Sequence, residues 1–121
     1  MNNKNIEQTA VAELTRALSR LDYVSTDFNQ NDKTPSWDGF ILLYKSKFDK
    51  KSELIKRIPI QIKGHYQKPP YAREIIYSTE VADLENFYQD NGAILFVVYV
   101  DDSGNSIIYY NDLTKFKLEI F

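Results

Sequence analysis

The sequence predicts a layered α/β domain, a mixed β-sheet with helices packed against it, and three observations carry that expectation. Residues 6–21 repeat apolar side chains at the three- and four-residue intervals of an amphipathic helix. Residues 93–100 form an almost unbroken run of β-branched and aromatic residues, the signature of a central strand covered on both faces. Between and around them the pattern reads in the order helix, three strands, helix, two strands.

In the first helix Ile6, Ala10, Val11, Leu14, Ala17, Leu18 and Leu21 make the apolar arc. Steps of 100° put Glu7 inside that arc near Leu14 and Leu18, and Glu13 at its edge. A carboxylate aimed at a core calls for a reason. Residues 29–36 are Asn, Asp, Lys, Thr, Pro and Ser without periodicity, a loop that delivers the chain to Trp37. Residues 39–44 and the alternating 54–62 read as strands, joined by a charged hairpin at 45–53. Pro59 cannot donate to a ladder and predicts an edge position or a bulge just before Gln61.

Residues 64–70 read as a loop and 73–77 as a short strand. Ser78 or Thr79, with Glu80, caps a second helix carrying Val81, Leu84, Phe87 and Tyr88, and Asn91-Gly92 ends it. After the central strand, 101–105 turns the chain into a last strand at 106–110.

At 121 residues the chain is one domain, 1–121, large enough for a single core. With 43% hydrophobic and 26% charged residues it lies far from a disordered composition. The absence of cysteine excludes disulfides, thiolate metal sites and cysteine nucleophiles, and suits a reducing compartment. The polar start Met1-Asn2-Asn3-Lys4-Asn5 lacks a signal-peptide pattern, and no apolar run approaches the ~20 residues of a membrane span. A cytoplasmic protein without membrane contact is the expectation. The chain stops at Phe121 without a turn or polar tail, which suggests the front part of a longer protein with a further C-terminal domain.

A net charge of −2 excludes binding nucleic acid by general basic excess, so any such contact is local. The best stretch runs from Lys63 through His65, Tyr66 and Lys68 to Tyr71 and Arg73, where cations alternate with rings around Pro69-Pro70. A solvated loop is the other reading. A single His makes a Ser-His-Asp set untenable, and four dispersed Gly offer no phosphate-binding loop.

Metal-dependent phosphodiester hydrolysis needs hard oxygen ligands and a cation near the developing charge. Asp38 at the start of one strand and Gln61-Ile62-Lys63 at the end of the next supply both. Gln61 and Lys63, two apart, share a face, while Ile62 packs on the other and its carbonyl can turn to a metal. Glu7 can close the site from above; Glu13 is the other helix carboxylate in reach. Each residue also has a structural reading. Glu7 can serve the helix dipole, Asp38 beside Gly39 can be a turn residue, and Gln61 and Lys63 can be an exposed strand face. His65 reads as a loop residue before a general base, and Trp37 as core or cleft wall before a stacking platform.

Glu7 in the first helix, Asp38-Gly39 opening a strand and the strand-end Gln61-Ile62-Lys63-Gly64 together resemble the PD-(D/E)XK nuclease superfamily, in its Q-x-K variant. More narrowly, they are similar to a family of uncharacterised prokaryotic nuclease-like domains, and the resemblance spans nearly the whole chain. It implies an αβββαβ restriction-endonuclease-like core, Mg²⁺ or Mn²⁺ held by Glu7, Asp38 and Gln61, and Lys63 completing the catalytic set. It also implies nucleic acid, DNA above all, as substrate, and a role against foreign DNA. Gln61 stands where Glu or Asp is usual, which removes one anionic ligand. A catalytically silent module on the same fold, binding nucleic acid or protein, is the competing reading. A third is an assembly domain that dimerises through its tyrosines.

Overall fold

The computed structural model describes residues 1–28, 38–45, 51–77, 81–89 and 92–114. Asn2 opens the first helix, α1 (Asn3–Leu18): its backbone is extended and its side-chain oxygen accepts the Asn5 N–H at 2.8 Å. The apolar period runs on to Leu21, but the helix ends three residues earlier. Ser19 caps it, its hydroxyl donating to the Arg16 carbonyl at 2.7 Å, and Leu21 stands half-exposed beyond. Ala10 and Leu14 are the buried positions of α1. Glu7 is exposed, roughly 60–100° around the helix from Ile6 and Ala10, which face the sheet.

Five strands follow: β1 (Val24–Phe28), β2 (Gly39–Tyr44), β3 (Leu54–Tyr66), β4 (Gly92–Val100) and β5 (Ser106–Thr114). A 3-10 turn at Lys51–Glu53 leads into β3, and a second helix, α2 (Val81–Gln89), links β3 to β4. They form one mixed sheet in the order β1-β2-β3-β4-β5, antiparallel except for the parallel pair β3 and β4. The parallel pair requires a crossover, and α2 lies on it.

The expected three strands before α2 are present, but one is a different segment. Residues 73–77 do not pair; Ile75 and Tyr77 are half-buried against the sheet while Ile76 is fully exposed. Their alternation records one buried side, not a ladder. The third strand is β1, five residues at the sheet edge with only a weak apolar pattern. Strand β3 continues four residues past 62, so the expected loop at 64–70 begins only at Gln67.

Pro59 is also corrected: it lies in the third of five strands, opposite Phe40, and the register irregularity sits at Leu43/Tyr44 instead. Ile60 and Ile62 direct their backbone groups toward the β2 side, so the Pro59 nitrogen points to the β4 side. Pairing with β4 starts one residue later, at Ile60. No ladder bond is lost.

The two sheet faces carry separate cores. Even-numbered β3 and β4 residues pack under α1, with Leu14, Ile41, Ile60 and Phe96 in one cluster and Ala10, Val98 and Val100 in another. On the opposite face Ala93, Leu95, Val97 and Leu113 are covered by Ile75, Tyr77 and Tyr88. Strand β4 is thus buried on both sides, as its composition implied. The 101–105 turn is tied by Asp101, whose carboxylate accepts the Ser103 and Asn105 N–H groups and the Asn105 side-chain amide, each at 2.9 Å. These bonds, led by the Asn105 amide, hold the carboxyl below the usual carboxylate range. The 29–36 loop, Trp37, most of the 45–53 hairpin, the cap at Ser78 or Thr79 with Glu80, the stop at Asn91 and the chain end lie outside the described residues. So do the side chains of Val81, Leu84 and Phe87.

Two glycines bring the site's elements together. A Cβ on Gly64 would sit 2.8 Å from the Ala10 Cβ and 3.3 Å from the Ile6 carbonyl, so α1 rests directly on the β3 backbone. Gly39 has φ +152, and a Cβ there would lie 2.2 Å from the Asp27 carbonyl oxygen of β1. Gly64→Ala is expected to destabilise the fold by about 1–3 kcal/mol through overpacking, and Gly39→Ala by more, because strain adds to the clash. Urea denaturation of both variants checks the order.

Candidate functional site

Strands β1 and β2 end at the middle of β3: Phe28 pairs with Gly39, and Gly39 with Ile60, while β3 runs on to Tyr66 beside β4 alone. Among the described residues the sheet therefore narrows from five strands to three at Gln61. Asp38 stands on that step. Its N–H donates to the Ile60 carbonyl at 2.9 Å, extending the ladder by one bond. Its carboxylate then accepts the Ile62 N–H at 2.6 Å, the first donor that the end of β2 leaves unpaired on that side. The Ile62 carbonyl faces the same side by strand alternation.

Gln61 points to the α2 face and is only 4% exposed. Its side-chain amide donates to Asp83 Oδ2 at 3.3 Å, while its Oε1 is buried without a hydrogen-bond partner. A buried amide oxygen left so is costly, and it is a hard neutral donor of the kind that binds divalent cations. Lys63 follows on the same face, half-buried.

The electrostatics tie these groups into one neighbourhood. The Asp38 carboxyl is raised above the usual aspartate range, chiefly by burial, with Glu7 and Asp83 adding to the rise. The Ile62 N–H and the Lys63 ammonium oppose it. The presence of Lys63 predicts from sequence that Asp38 stays readily ionised; burial outweighs that charge.

Asp38 is bonded to the Ile62 N–H, between Gln61 and Lys63, and the Lys63 charge is felt at its carboxyl. Glu7 takes part only as an exposed charge felt by Asp38, not as a carboxylate buried in the core. Glu13 is turned elsewhere, paired with Arg16 at 2.8 Å and accepting the Ser106 hydroxyl at 3.1 Å. Asp83, in the first turn of α2, is the residue that sequence reasoning missed. An acidic residue at a helix start usually serves the dipole, and nothing in the local pattern ties it to Gln61, 22 positions earlier.

His65 lies on β3, not in a loop, and continues the face of Gln61 and Lys63. Its Nε2 is 3.0 Å from the Tyr77 hydroxyl, and its ring centroid is 5.5 Å from that of Tyr77 and 5.9 Å from that of Tyr99. Tyr71 and Tyr109 extend the cluster around Tyr99. The Tyr109 hydroxyl bonds the Ala72 carbonyl and so pins the segment after β3 onto the sheet, while the Tyr71 hydroxyl bonds the Gln67 carbonyl within that segment. Lys68 and Arg73 are exposed on that segment.

Among the described residues no group of three or more His, Cys, Asp or Glu side chains could hold a metal ion. Mg²⁺ needs less: it keeps several waters and is typically held by one or two carboxylates plus substrate phosphate. Asp38, the orphaned Gln61 oxygen and Asp83 fit that requirement. No protein-family model, no curated protein and no solved structure matches this chain.

Because the folded protein holds the Asp38 proton to a higher pH than the unfolded chain, this group's stability contribution falls as pH rises from the ordinary aspartate range to the raised value. Asp38→Asn removes that cost and keeps an oxygen for the Ile62 N–H. Its stability relative to the native protein should therefore grow through that window and stay level above it. Asp38→Ala leaves the N–H unpaired and should lose about 1–3 kcal/mol. Thermal melts of the three proteins across mildly acidic pH measure both effects.

Proposed function

We propose that this chain is a metal-dependent phosphodiesterase acting on nucleic acid, DNA above all, on a PD-(D/E)XK-type αβββαβ core. The observation that carries the reading is the buried Gln61 oxygen without a partner, set beside Asp38 at the sheet step with Lys63 on the same face. The element order α1-β1-β2-β3-α2-β4, with three antiparallel strands followed by a parallel one, supports the core assignment.

Asp38, Gln61 and the nearby Glu7 or Asp83 would hold Mg²⁺ or Mn²⁺, whose chemistry there is to polarise a phosphate oxygen and lower the pKa of bound water. Asp38 contributes charge neutralisation as its carboxylate. Lys63, half-buried in the same field, faces the scissile phosphate and offsets the negative charge that develops on it. The exposed His65, with Lys68 and Arg73 beyond, would give nucleic acid a ring and two cations at the surface next to β3.

A catalytically silent module is the second reading, and a specific observation favours it: the described acidic residues do not converge in threes. Dimerisation through tyrosines has less surface than the composition suggests, because Tyr77, Tyr88, Tyr99 and Tyr109 are half-buried against the sheet. Tyr23 and Tyr110 are the most exposed of the described tyrosines, at 53% and 73%.

Plasmid nicking in Mn²⁺ separates the two leading readings. The enzyme reading expects cleavage that is abolished by Asp38→Asn and lowered at least ~100-fold by Lys63→Ala. Cleavage that survives in Asp38→Asn would move the activity away from this site, and no cleavage of duplex or single-stranded substrates would favour the silent module.

A further inference from the structure

We propose that Asp83 supplies from α2 the negative charge that Gln61 does not carry, and that the two residues act as one split ligand of the cation site; this rests on the metal-dependent reading above. The Gln61 amide is oriented by its bond to Asp83 Oδ2. A carboxylate cannot donate, so the contact must be made by the amide nitrogen, and this fixes Oε1 as the atom without a partner. Gln61 is 4% exposed, so the amide cannot turn its oxygen to bulk water.

Asp83 reaches the site from the first turn of α2, with its Oδ2 held at the Gln61 amide. Glu7 is exposed on α1, whereas the hydrogen bond to Gln61 comes from Asp83. A carboxylate placed directly at position 61 would face Asp83 across the same contact. Two like charges that close share a proton and titrate as a pair. Placing an amide on the strand and the acid on the helix avoids that conflict, and leaves a neutral oxygen and a carboxylate for the cation.

The pairing predicts a charge swap. Asp83→Asn removes the anion and frees the amide, and should weaken Mn²⁺ binding at least ~10-fold by isothermal calorimetry, as loss of a ligand's orienting partner does. Gln61→Glu combined with Asp83→Asn reverses donor and acceptor across the same contact, restores the charge, and should return affinity to within about threefold of the native value. If the native protein binds Mn²⁺ and Asp83→Asn binds it equally, the split ligand is wrong while the metal site stands. The split ligand is equally wrong if the double variant stays as weak as the single one. If the native protein binds no Mn²⁺, the metal-dependent reading fails and this inference with it.

Discussion

The hydrogen bond from the Ile62 N–H to the Asp38 carboxylate is the contact on which the rest of the site depends. A sheet that narrows partway along a strand leaves backbone donors without partners, and each must be satisfied or hydrated. Asp38 answers the first of them with a side chain. The carboxylate is thereby held, partly buried, beside the odd-numbered face of β3. The group that closes the ladder is also the one whose charge burial makes costly.

The same step explains why glycines flank the site. Gly39 lets β2 begin against the Asp27 carbonyl, and Gly64 lets α1 settle on β3. From one face comes the exposed Glu7, from the other Gln61, Lys63 and Asp83. An amide oxygen buried without a hydrogen-bond partner among the described residues, beside a partly buried carboxyl, is poor packing.

The periodic parts of the chain were legible without coordinates. Helix α1, strands β2, β3 and β4 and the crossover helix follow from their long periodic patterns, and Asp38 stands at the start of β2 as expected, whereas Gln61 and Lys63, expected at a strand end, lie within β3. What misled was local. Residues 73–77 alternate because one side is covered, not because they pair, and β1 is too short and too polar to announce itself. Glu7 falls within the helix's apolar arc by angle alone, but the arc is wider than the surface that the sheet offers. Asp83 could not be found from spacing, since a tertiary contact across the crossover joins it to Gln61.

If the site works as proposed, the orphaned Gln61 oxygen and the Asp38 carboxylate bind one divalent cation between them. Anomalous diffraction from crystals grown with Mn²⁺ tests this most directly. A single strong peak is expected at coordination distance, about 2.0–2.3 Å, from both an Asp38 oxygen and Gln61 Oε1. A fully occupied water bonded to Gln61 Oε1, with Mn²⁺ absent or bound only to exposed surface carboxylates, would contradict it.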